Sequence, residues 1–181
     1  MKGPGKPSGD RILTLPNALT SLRLLAIPVV LLLLISREDV AAVAVFVAAA
    51  ATDFLDGRLA RRRGGAASSY LGAILDPVAD RLMLSSVAVV LAVRGLLPVA
   101  FVAILVGRDL IALLGSLAFR GKIKVNRVGK AATAVLMASV AVVIYEPGII
   151  GEVMFYSGVG LSLVAGVLYA GEVRGPSGGR Q

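Results

Sequence analysis

Long apolar stretches alternate with short polar links along this chain, and the stretches have the length of membrane-spanning helices. About 20 consecutive apolar residues are enough for a helix to cross a bilayer. Six such stretches occur, at residues 18–36, 40–60, 70–93, 97–119, 130–147 and 150–170. Three of the links, at 37–39, 94–96 and 148–149, are so short that they predict helical hairpins. The pattern therefore predicts an all-α integral membrane protein with six transmembrane helices.

The six predicted helices form a single domain, because no internal repeat or linker divides them. This domain covers residues 18–170. Residues 1–17 are expected to be an N-terminal cytoplasmic or interfacial segment, and they lack the pattern of a cleavable signal peptide. Residues 171–181 are rich in Gly and Ser, a composition that predicts a disordered tail.

Composition supports the membrane prediction and narrows the possible chemistry. The chain is 57% hydrophobic, and its mean hydropathy is +0.86. It contains no Cys, which excludes a disulfide framework and a zinc-thiolate site. It also contains no His, which removes the usual general base. Any acid–base step must therefore use Asp, Glu, Lys, Arg, Tyr or water.

The distribution of positive charge predicts the orientation in the membrane. Fourteen of the nineteen Lys and Arg residues fall on the side of both termini, whereas Arg37 and Arg94 are the two on the opposite side. Cytoplasmic loops of membrane proteins carry this excess of positive charge, so both termini are predicted to be cytoplasmic. The net charge of +8 thus reflects topology and anionic lipid, and no nucleic-acid partner is expected.

Four aspartates interrupt the second and third apolar stretches, where charged residues are costly and usually functional. Asp53 and Asp56 are three residues apart, and Asp76 and Asp80 are four apart, so each pair shares one face of a helix. Asp53 is as far along the chain from the predicted start of its helix, at residue 40, as Asp80 is from the predicted end of its helix, at residue 93. Two neighbouring antiparallel helices would therefore present four carboxylates at one height, near the cytoplasmic side.

Carboxylate oxygens in this number suit a hard divalent cation such as Mg²⁺, which would relieve the repulsion among the negative charges. Two alternatives remain open at this point. The aspartates could form ion pairs that hold helices together, with Arg61, Arg81, Arg108 and neighbouring residues as partners. They could also line a proton or ion path, as in a small transporter.

Small residues next to the aspartates predict a place where a ligand approaches the helices closely. Gly57 and Ala60 follow Asp56, and Arg61 lies one turn beyond Gly57, where its guanidinium could bind phosphate oxygens. Gly72 precedes Asp76 by four residues on the facing helix. Taken singly, these small residues could equally serve close packing between membrane helices.

The combined pattern resembles the signature of the CDP-alcohol phosphotransferase family. In this chain the pattern comprises Asp53, Asp56, Gly57, Ala60, Arg61, Gly72, Asp76 and Asp80. The turn between Arg61 and Gly72 is two residues longer than is usual for the family. The segments LPNALTSLR and LDPVADRLML also resemble the bacterial phosphatidylglycerolphosphate synthase and cardiolipin synthase branch.

The resemblance implies a six-helix membrane fold, usually a homodimer, with a polar cavity open to the cytosol. It implies that Asp53, Asp56, Asp76 and Asp80 bind Mg²⁺ or Mn²⁺, as two ions. It further implies that Asp80 is the general base toward the acceptor hydroxyl. The small residues and the arginine of the signature are implied to line the CDP moiety of CDP-diacylglycerol; these are Gly57, Ala60, Arg61 and Gly72.

The family resemblance leads us to expect phosphatidyl transfer to glycerol 3-phosphate in the cell membrane, with the active site facing the cytoplasm. Such a dianionic acceptor needs a cationic site, for which Arg108 is the best candidate, although Arg108 could instead form an ion pair with Asp109. Phosphatidylglycerol as acceptor, which would make the protein a cardiolipin synthase, is the main alternative. A divalent-cation or proton transporter is the non-enzyme alternative, but the chain lacks the repeated halves typical of such transporters.

Overall fold

The computed structural model describes residues 15–62, 70–118 and 127–174, and it describes side chains within 21–52, 78–114 and 128–168. These ranges consist of helices joined by short links. The helices are α1 (Leu15–Ile35), α2 (Asp39–Arg62), α3 (Tyr70–Val93), α4 (Val99–Ala118), α5 (Arg127–Tyr145) and α6 (Ile149–Arg174). The all-helical prediction is therefore confirmed, and each helix coincides with one predicted apolar stretch.

The ends of the helices differ from the prediction by up to four residues, most at the starts of α1 and α5 and at the end of α6. Helix α5 begins at Arg127, three residues before the predicted boundary. Helix α1 begins at Leu15, three residues before the predicted boundary, because Pro16 in the first turn needs no hydrogen-bonded N–H there. Helix α6 continues to Arg174, four residues beyond the predicted boundary at 170. The remainder of the predicted tail, 175–181, and residues 1–14 lie outside the described residues.

Two of the short links end their helices with the same hydrogen-bonded turn. After α1, the N–H of Arg37 donates to the carbonyl of Leu34 at 3.2 Å, and the N–H of Glu38 donates to that of Leu33 at 2.9 Å. After α3, Gly95 and Leu96 repeat this pattern. Such a motif requires a residue with positive φ, which Gly95 adopts without strain at 75° and Arg37 adopts at 63°. Both hairpin predictions are thus explained by local backbone chemistry.

An ion pair between these two links joins the ends of three helices. Arg94 donates two hydrogen bonds to the carboxylate of Asp39, at 2.5 and 2.8 Å. The same guanidinium also donates to the carbonyl of Leu34 at 3.3 Å, near the C-terminal end of α1. Asp39 lies in the first turn of α2, where a negative charge is favourable. Arg94 therefore holds the ends of α1, α2 and α3 together.

Apolar side chains from all six helices form one core. Fully buried members include Leu34, Phe46, Leu91, Leu105, Leu136 and Phe155. Helix α1 packs against α2 and α3, α5 packs against α2, α3 and α6, and α4 packs against α3 and α6. Both α2 and α3 contact α1 and α5, and no close backbone contact joins α2 directly to α3 among the described residues. The approach of the two helices at the aspartates stays a prediction, because the side chains of residues 53–77 lie outside the described set.

Within the part of the chain that the structure describes, two helical stretches are long and apolar enough to cross a membrane by length and composition: Val128–Tyr145 and Ile149–Leu168. Shorter apolar stretches occur at Ser21–Ile35 and Asp39–Thr52. Large apolar side chains also face outward, including Leu25, Ile111 and Val167, which are each at least two-thirds exposed. An apolar exterior around an apolar core is the arrangement expected of helices that contact lipid.

Candidate functional site

Helices α2 and α3 bring the predicted metal-binding aspartates to the same distance from a shared reference point. The Arg94–Asp39 ion pair places the start of α2 beside the end of α3. Asp53 follows Asp39 along α2 by the same number of positions as Asp80 precedes Arg94 along α3. At about 1.5 Å per residue, both aspartates lie roughly 21 Å from the pair. The predicted match in height between Asp53 and Asp80 can therefore be measured from the Arg94–Asp39 pair.

Both helices are continuous through the aspartates. Asp53 and Asp56 belong to α2, and Asp76 and Asp80 belong to α3, with no interruption at Pro77. The continuous helix that this spacing requires is therefore present in both segments. The side chains of Asp53, Asp56 and Asp76 lie outside the described residues, as do those of Gly57, Ala60, Arg61 and Gly72. The ligand roles assigned to these seven residues stay predictions.

Asp80, the last of the four aspartates, forms an ion pair with an arginine of another helix. Nη1 of Arg23, on α1, lies 2.7 Å from Oδ1 of Asp80. Arg23 is only 4% exposed, whereas the side chain of Asp80 is 27% exposed. The sequence-based alternative considered Arg61, Arg81 and Arg108 as ion-pair partners and missed Arg23. Arg23 could have been identified from the sequence, because it lies within an apolar stretch, where an arginine without a partner is costly.

A second ionic cluster lies between α3 and α4, and it includes Arg81, the residue that follows Asp80. Asp109 is buried, and its Oδ2 accepts a hydrogen bond from Oγ of Ser85 at 2.8 Å. Its Oδ1 lies 3.4 Å from Nη2 of Arg108 and 4.0 Å from Nη1 of Arg81. The alternative in which Arg108 pairs with Asp109 is therefore observed. Two arginines against one carboxylate nevertheless leave this cluster with a net positive charge.

A small pocket of about 90 Å³ opens beside this cluster. Arg81, Ser85 and Asp109 line one part of it, and apolar side chains of α3 and α4 line the rest. Arg108 is not part of the lining, although its partner Asp109 is. The surface that the pocket exposes is apolar, so the charged groups of Arg81 and Asp109 face each other rather than the opening.

The donor set of the four aspartates fits a hard divalent cation. Carboxylate oxygens are the ligands that Mg²⁺ and Mn²⁺ take, and the matched heights of Asp53 and Asp80 are compatible with one shared site. Within the residues whose side chains are described, no group of three acidic side chains is close enough to hold a metal. Three of the four predicted ligands are outside that set, so the metal site itself stays a prediction.

Comparison with known proteins places these features in a family. The family model for CDP-alcohol phosphatidyltransferases matches residues 13–164 of the chain. The chain is 36% identical to a cardiolipin synthase (CMP-forming) of Streptomyces coelicolor, over 91% of this chain and 85% of that protein. It is 34% identical to the CDP-diacylglycerol–glycerol-3-phosphate 3-phosphatidyltransferase of Escherichia coli, over 85% of this chain and 87% of that protein. A Pseudomonas fluorescens protein with the latter name is 44% identical, over 55% of this chain and 52% of that protein.

Proposed function

The chain belongs to the CDP-alcohol phosphatidyltransferase family, and we propose that it transfers the phosphatidyl group of CDP-diacylglycerol to glycerol 3-phosphate, releasing CMP. Membership of a family of transferases confirms that the protein is an enzyme and disfavours the transporter alternative. The observation that carries the proposal is the equal distance of Asp53 and Asp80 from the Arg94–Asp39 pair. It supports a common site for the signature aspartates of both helices.

In the proposed reaction, the acceptor hydroxyl attacks the phosphorus that bears diacylglycerol. Asp80 accepts the hydroxyl proton, because a positioned carboxylate is the available base in a chain without His. The bond from that phosphorus to the bridging oxygen breaks, and CMP leaves with the electron pair. Gly57, Ala60 and Gly72 would let the CDP group approach the helices closely.

The four signature aspartates, Asp53, Asp56, Asp76 and Asp80, would hold two Mg²⁺ or Mn²⁺ ions. Bound there, the ions would neutralise the diphosphate and the negative charge that develops on CMP. Arg61 would add a forked contact to phosphate oxygens. Without metal, four neighbouring carboxylates would repel one another, so the site is expected to depend on the cation.

The donor is a lipid, which accounts for an apolar helical protein around a polar site. We propose that all six helices span the cell membrane and that both termini and the active site face the cytoplasm. The excess of positive charge on the terminal side supports this orientation. We also propose a homodimer, as the family resemblance implies.

Phosphatidylglycerol is the second candidate acceptor, which would make the protein a cardiolipin synthase. Similarity to named relatives does not separate the two acceptors, because the Streptomyces coelicolor and Escherichia coli proteins match at similar identity and coverage. The partial neutralisation of Arg108 by Asp109 favours phosphatidylglycerol. The net positive charge of the Arg81, Arg108 and Asp109 cluster favours glycerol 3-phosphate instead, because a dianion needs a cationic site. These opposing observations make the acceptor the first property to measure.

A side-by-side acceptor assay tests the proposal directly. Purified protein in detergent or vesicles would receive radiolabelled CDP-diacylglycerol with Mg²⁺ and either glycerol 3-phosphate or phosphatidylglycerol. CMP release and labelled phosphatidylglycerol phosphate with the first acceptor would support the proposal. Labelled cardiolipin with the second acceptor alone would reassign the protein to the alternative. No CMP release with either acceptor would contradict both assignments.

Removal of divalent cations tests the metal assignment separately. Excess EDTA should stop CMP release, and added Mg²⁺ or Mn²⁺ should restore it, whereas Ca²⁺ is a poor match in size and geometry. Turnover that persists under full chelation would contradict the proposed metal site.

A further inference from the structure

Arg23 of α1 is the described side chain that most directly constrains Asp80. It is 4% exposed, and its Nη1 lies 2.7 Å from Oδ1 of Asp80 across the α1–α3 interface. We propose that Arg23 is a positioning residue that holds the Asp80 carboxylate in the orientation needed to bind metal and to accept the acceptor proton. This inference rests on the role proposed above for Asp80.

The surroundings of Asp80 support a constraint on orientation as well as on stability. Asp80 is bound from the α1 side by Arg23, and the next residue, Arg81, points to Asp109 of α4. Consecutive residues of α3 are thus held from two different helices. Because a guanidinium is planar and permanently charged, it restricts a carboxylate more strongly than a flexible ammonium would. Rotation of α3 that would turn Asp80 away from the site would break both contacts.

An effect of Arg23 on the orientation of Asp80 and an effect of its positive charge alone would change Mg²⁺ affinity in opposite directions. Arg23 places a positive charge next to a predicted cation site, so loss of that charge alone would strengthen Mg²⁺ binding. Loss of the carboxylate's orientation would weaken Mg²⁺ binding instead. Partners that orient metal ligands typically contribute about 10- to 100-fold to metal affinity or activity, so we expect orientation to dominate.

The chain supplies a matched control in the Arg94–Asp39 pair. It too joins an arginine to an aspartate on another helix, and Arg94 is almost as buried as Arg23. Arg94 is, however, remote from Asp80, because the rise of about 1.5 Å per residue along α3 separates them by roughly 21 Å. If Arg23 only stabilises the fold, Arg23→Gln and Arg94→Gln should have the same kind of effect. Both substitutions should lower the thermal midpoint, and both should leave kcat and Mg²⁺ affinity unchanged.

The test combines kinetics with a metal-binding measurement that needs no substrate. We would measure kcat, the KM for CDP-diacylglycerol, and the shift of the thermal unfolding midpoint as Mg²⁺ is titrated. Arg23→Gln should lower kcat and weaken Mg²⁺ binding by about tenfold or more, with little change in KM. Arg23→Lys should show smaller losses in the same direction. Arg94→Gln should keep the wild-type kcat and Mg²⁺ affinity.

A double variant establishes whether Arg23 acts through Asp80. In an Asp80→Asn background, Arg23→Gln should weaken Mg²⁺ binding no further, because the coupled effect has already been lost. The proposal would be overturned if the effects of Arg23→Gln and Asp80→Asn on Mg²⁺ binding were additive in the double variant. It would also be overturned if Arg23→Gln alone bound Mg²⁺ as tightly as the wild type or more tightly, or kept the wild-type kcat. If Arg23→Gln does not fold, Arg23→Lys decides, since wild-type Mg²⁺ affinity in that variant would also overturn it.

The metal measurement separates this inference from the proposed function. Absence of phosphatidyl transfer by the wild-type protein would contradict the proposed function. The effect of Arg23 on Mg²⁺ binding could still be measured in the same preparation.

Discussion

At the scale of single residues, Asp80 combines a predicted catalytic role with an observed structural one. The sequence predicted it as metal ligand and base, and the structure adds the ion pair with Arg23. Removal of one member of a buried ion pair typically costs about 3–5 kcal/mol, because the other charge is left without compensation. A substitution at Asp80 must therefore be judged by its effects on both activity and stability.

Asp80→Asn should abolish turnover and leave the protein folded with a lower thermal midpoint. The amide keeps an oxygen that can accept from Arg23, but it cannot act as a base, and loss of a general base typically costs about 10²–10⁴-fold in rate. CMP release and the unfolding midpoint should be measured on one preparation. Asp39→Asn is the control, since it breaks the other arginine–aspartate pair and should retain turnover. A wild-type rate in Asp80→Asn would remove Asp80 from the mechanism.

Sequence reasoning identified Asp80 more successfully than its partner. The spacing of Asp76 and Asp80 is a local property of one helix, so it could be read from the chain. The pairing with Arg23 depends on how α1 and α3 are rotated against each other, which local periodicity does not encode. The Arg108–Asp109 contact was foreseen as an alternative because the two residues are adjacent in sequence.

At the scale of helices, the Arg94–Asp39 pair predicts a specific dependence of stability on pH. The hydrogen bonds from Arg94 hold the pKa of Asp39 below its ordinary value, although partial burial opposes them. Because the folded-state pKa is depressed, the stabilisation is complete above the unfolded-state pKa of Asp39. It is lost as the pH falls through the folded-state pKa, when the carboxylate becomes protonated.

Arg94→Gln should therefore lower the unfolding midpoint at neutral pH, and its difference from the wild type should shrink in strongly acidic buffer. We expect a loss of roughly 1–3 kcal/mol at neutral pH, between the values for exposed and buried pairs. Thermal unfolding in detergent over a pH series measures this. Arg37→Gln is the control, because Arg37 acts on Asp39 only through space and more weakly. A pH-independent difference for Arg94→Gln would contradict the assignment.

Close packing of α5 against α6 depends on glycine at position 158. A Cβ added there would lie 2.8 Å from Cγ of Leu136 and 3.2 Å from its backbone nitrogen. Alanine should therefore force α5 and α6 apart, at a cost of about 1–3 kcal/mol that outweighs its better helix propensity. At Gly160, on the same helix, an added Cβ meets nothing within 4 Å, so Gly160→Ala is the matched control. Unfolding in graded denaturing detergent would compare the two, and equal stability would contradict this packing argument.

Helix positions were predictable from the chain, whereas helix ends were predicted less well. Apolar runs bounded by short links locate all six helices, because each apolar stretch requires burial or lipid. The start of α1 at Leu15 depends on Pro16 being tolerated in a first turn. The end of α6 at Arg174 lies beyond the apolar run, in residues whose composition suggested a tail. Both differences come from helical backbone continuing past the apolar pattern.

At the scale of the whole molecule, the order of helices along the chain does not determine which of them touch. Sequential hairpins predict contact of α1 with α2, of α3 with α4 and of α5 with α6, and all three contacts are present. The packing of α1 on α3 and of α2 on α5 involves helices distant in sequence, and the hydropathy pattern gives no information about it. That packing places Arg23 beside Asp80, so the most informative contact at the site came only from the tertiary structure.

The proposed six-span topology, with both termini cytoplasmic, can be tested because the chain contains no cysteine. Single cysteines would be introduced at Glu38 and Glu146, which lie in the α1–α2 and α5–α6 links, and at Lys2 and Ser177 near the two ends. In right-side-out vesicles, a membrane-impermeant maleimide should label Glu38→Cys and Glu146→Cys but neither terminal variant. Inside-out vesicles should give the opposite pattern, and the unmodified chain provides the background.

Each departure from this labelling pattern has a distinct structural meaning. A complete reversal would place the termini and the aspartates on the outer side, where a cytosolic acceptor such as glycerol 3-phosphate could not reach them. Labelling of one terminus only would require an odd number of spans and would contradict the prediction that every helix crosses the bilayer. The expected pattern would instead place the aspartates nearer the cytoplasmic face, because they lie roughly 21 Å from the Arg94–Asp39 pair at the outer ends of the helices. A water-soluble acceptor could then reach the site while the acyl chains of the donor stay in the bilayer.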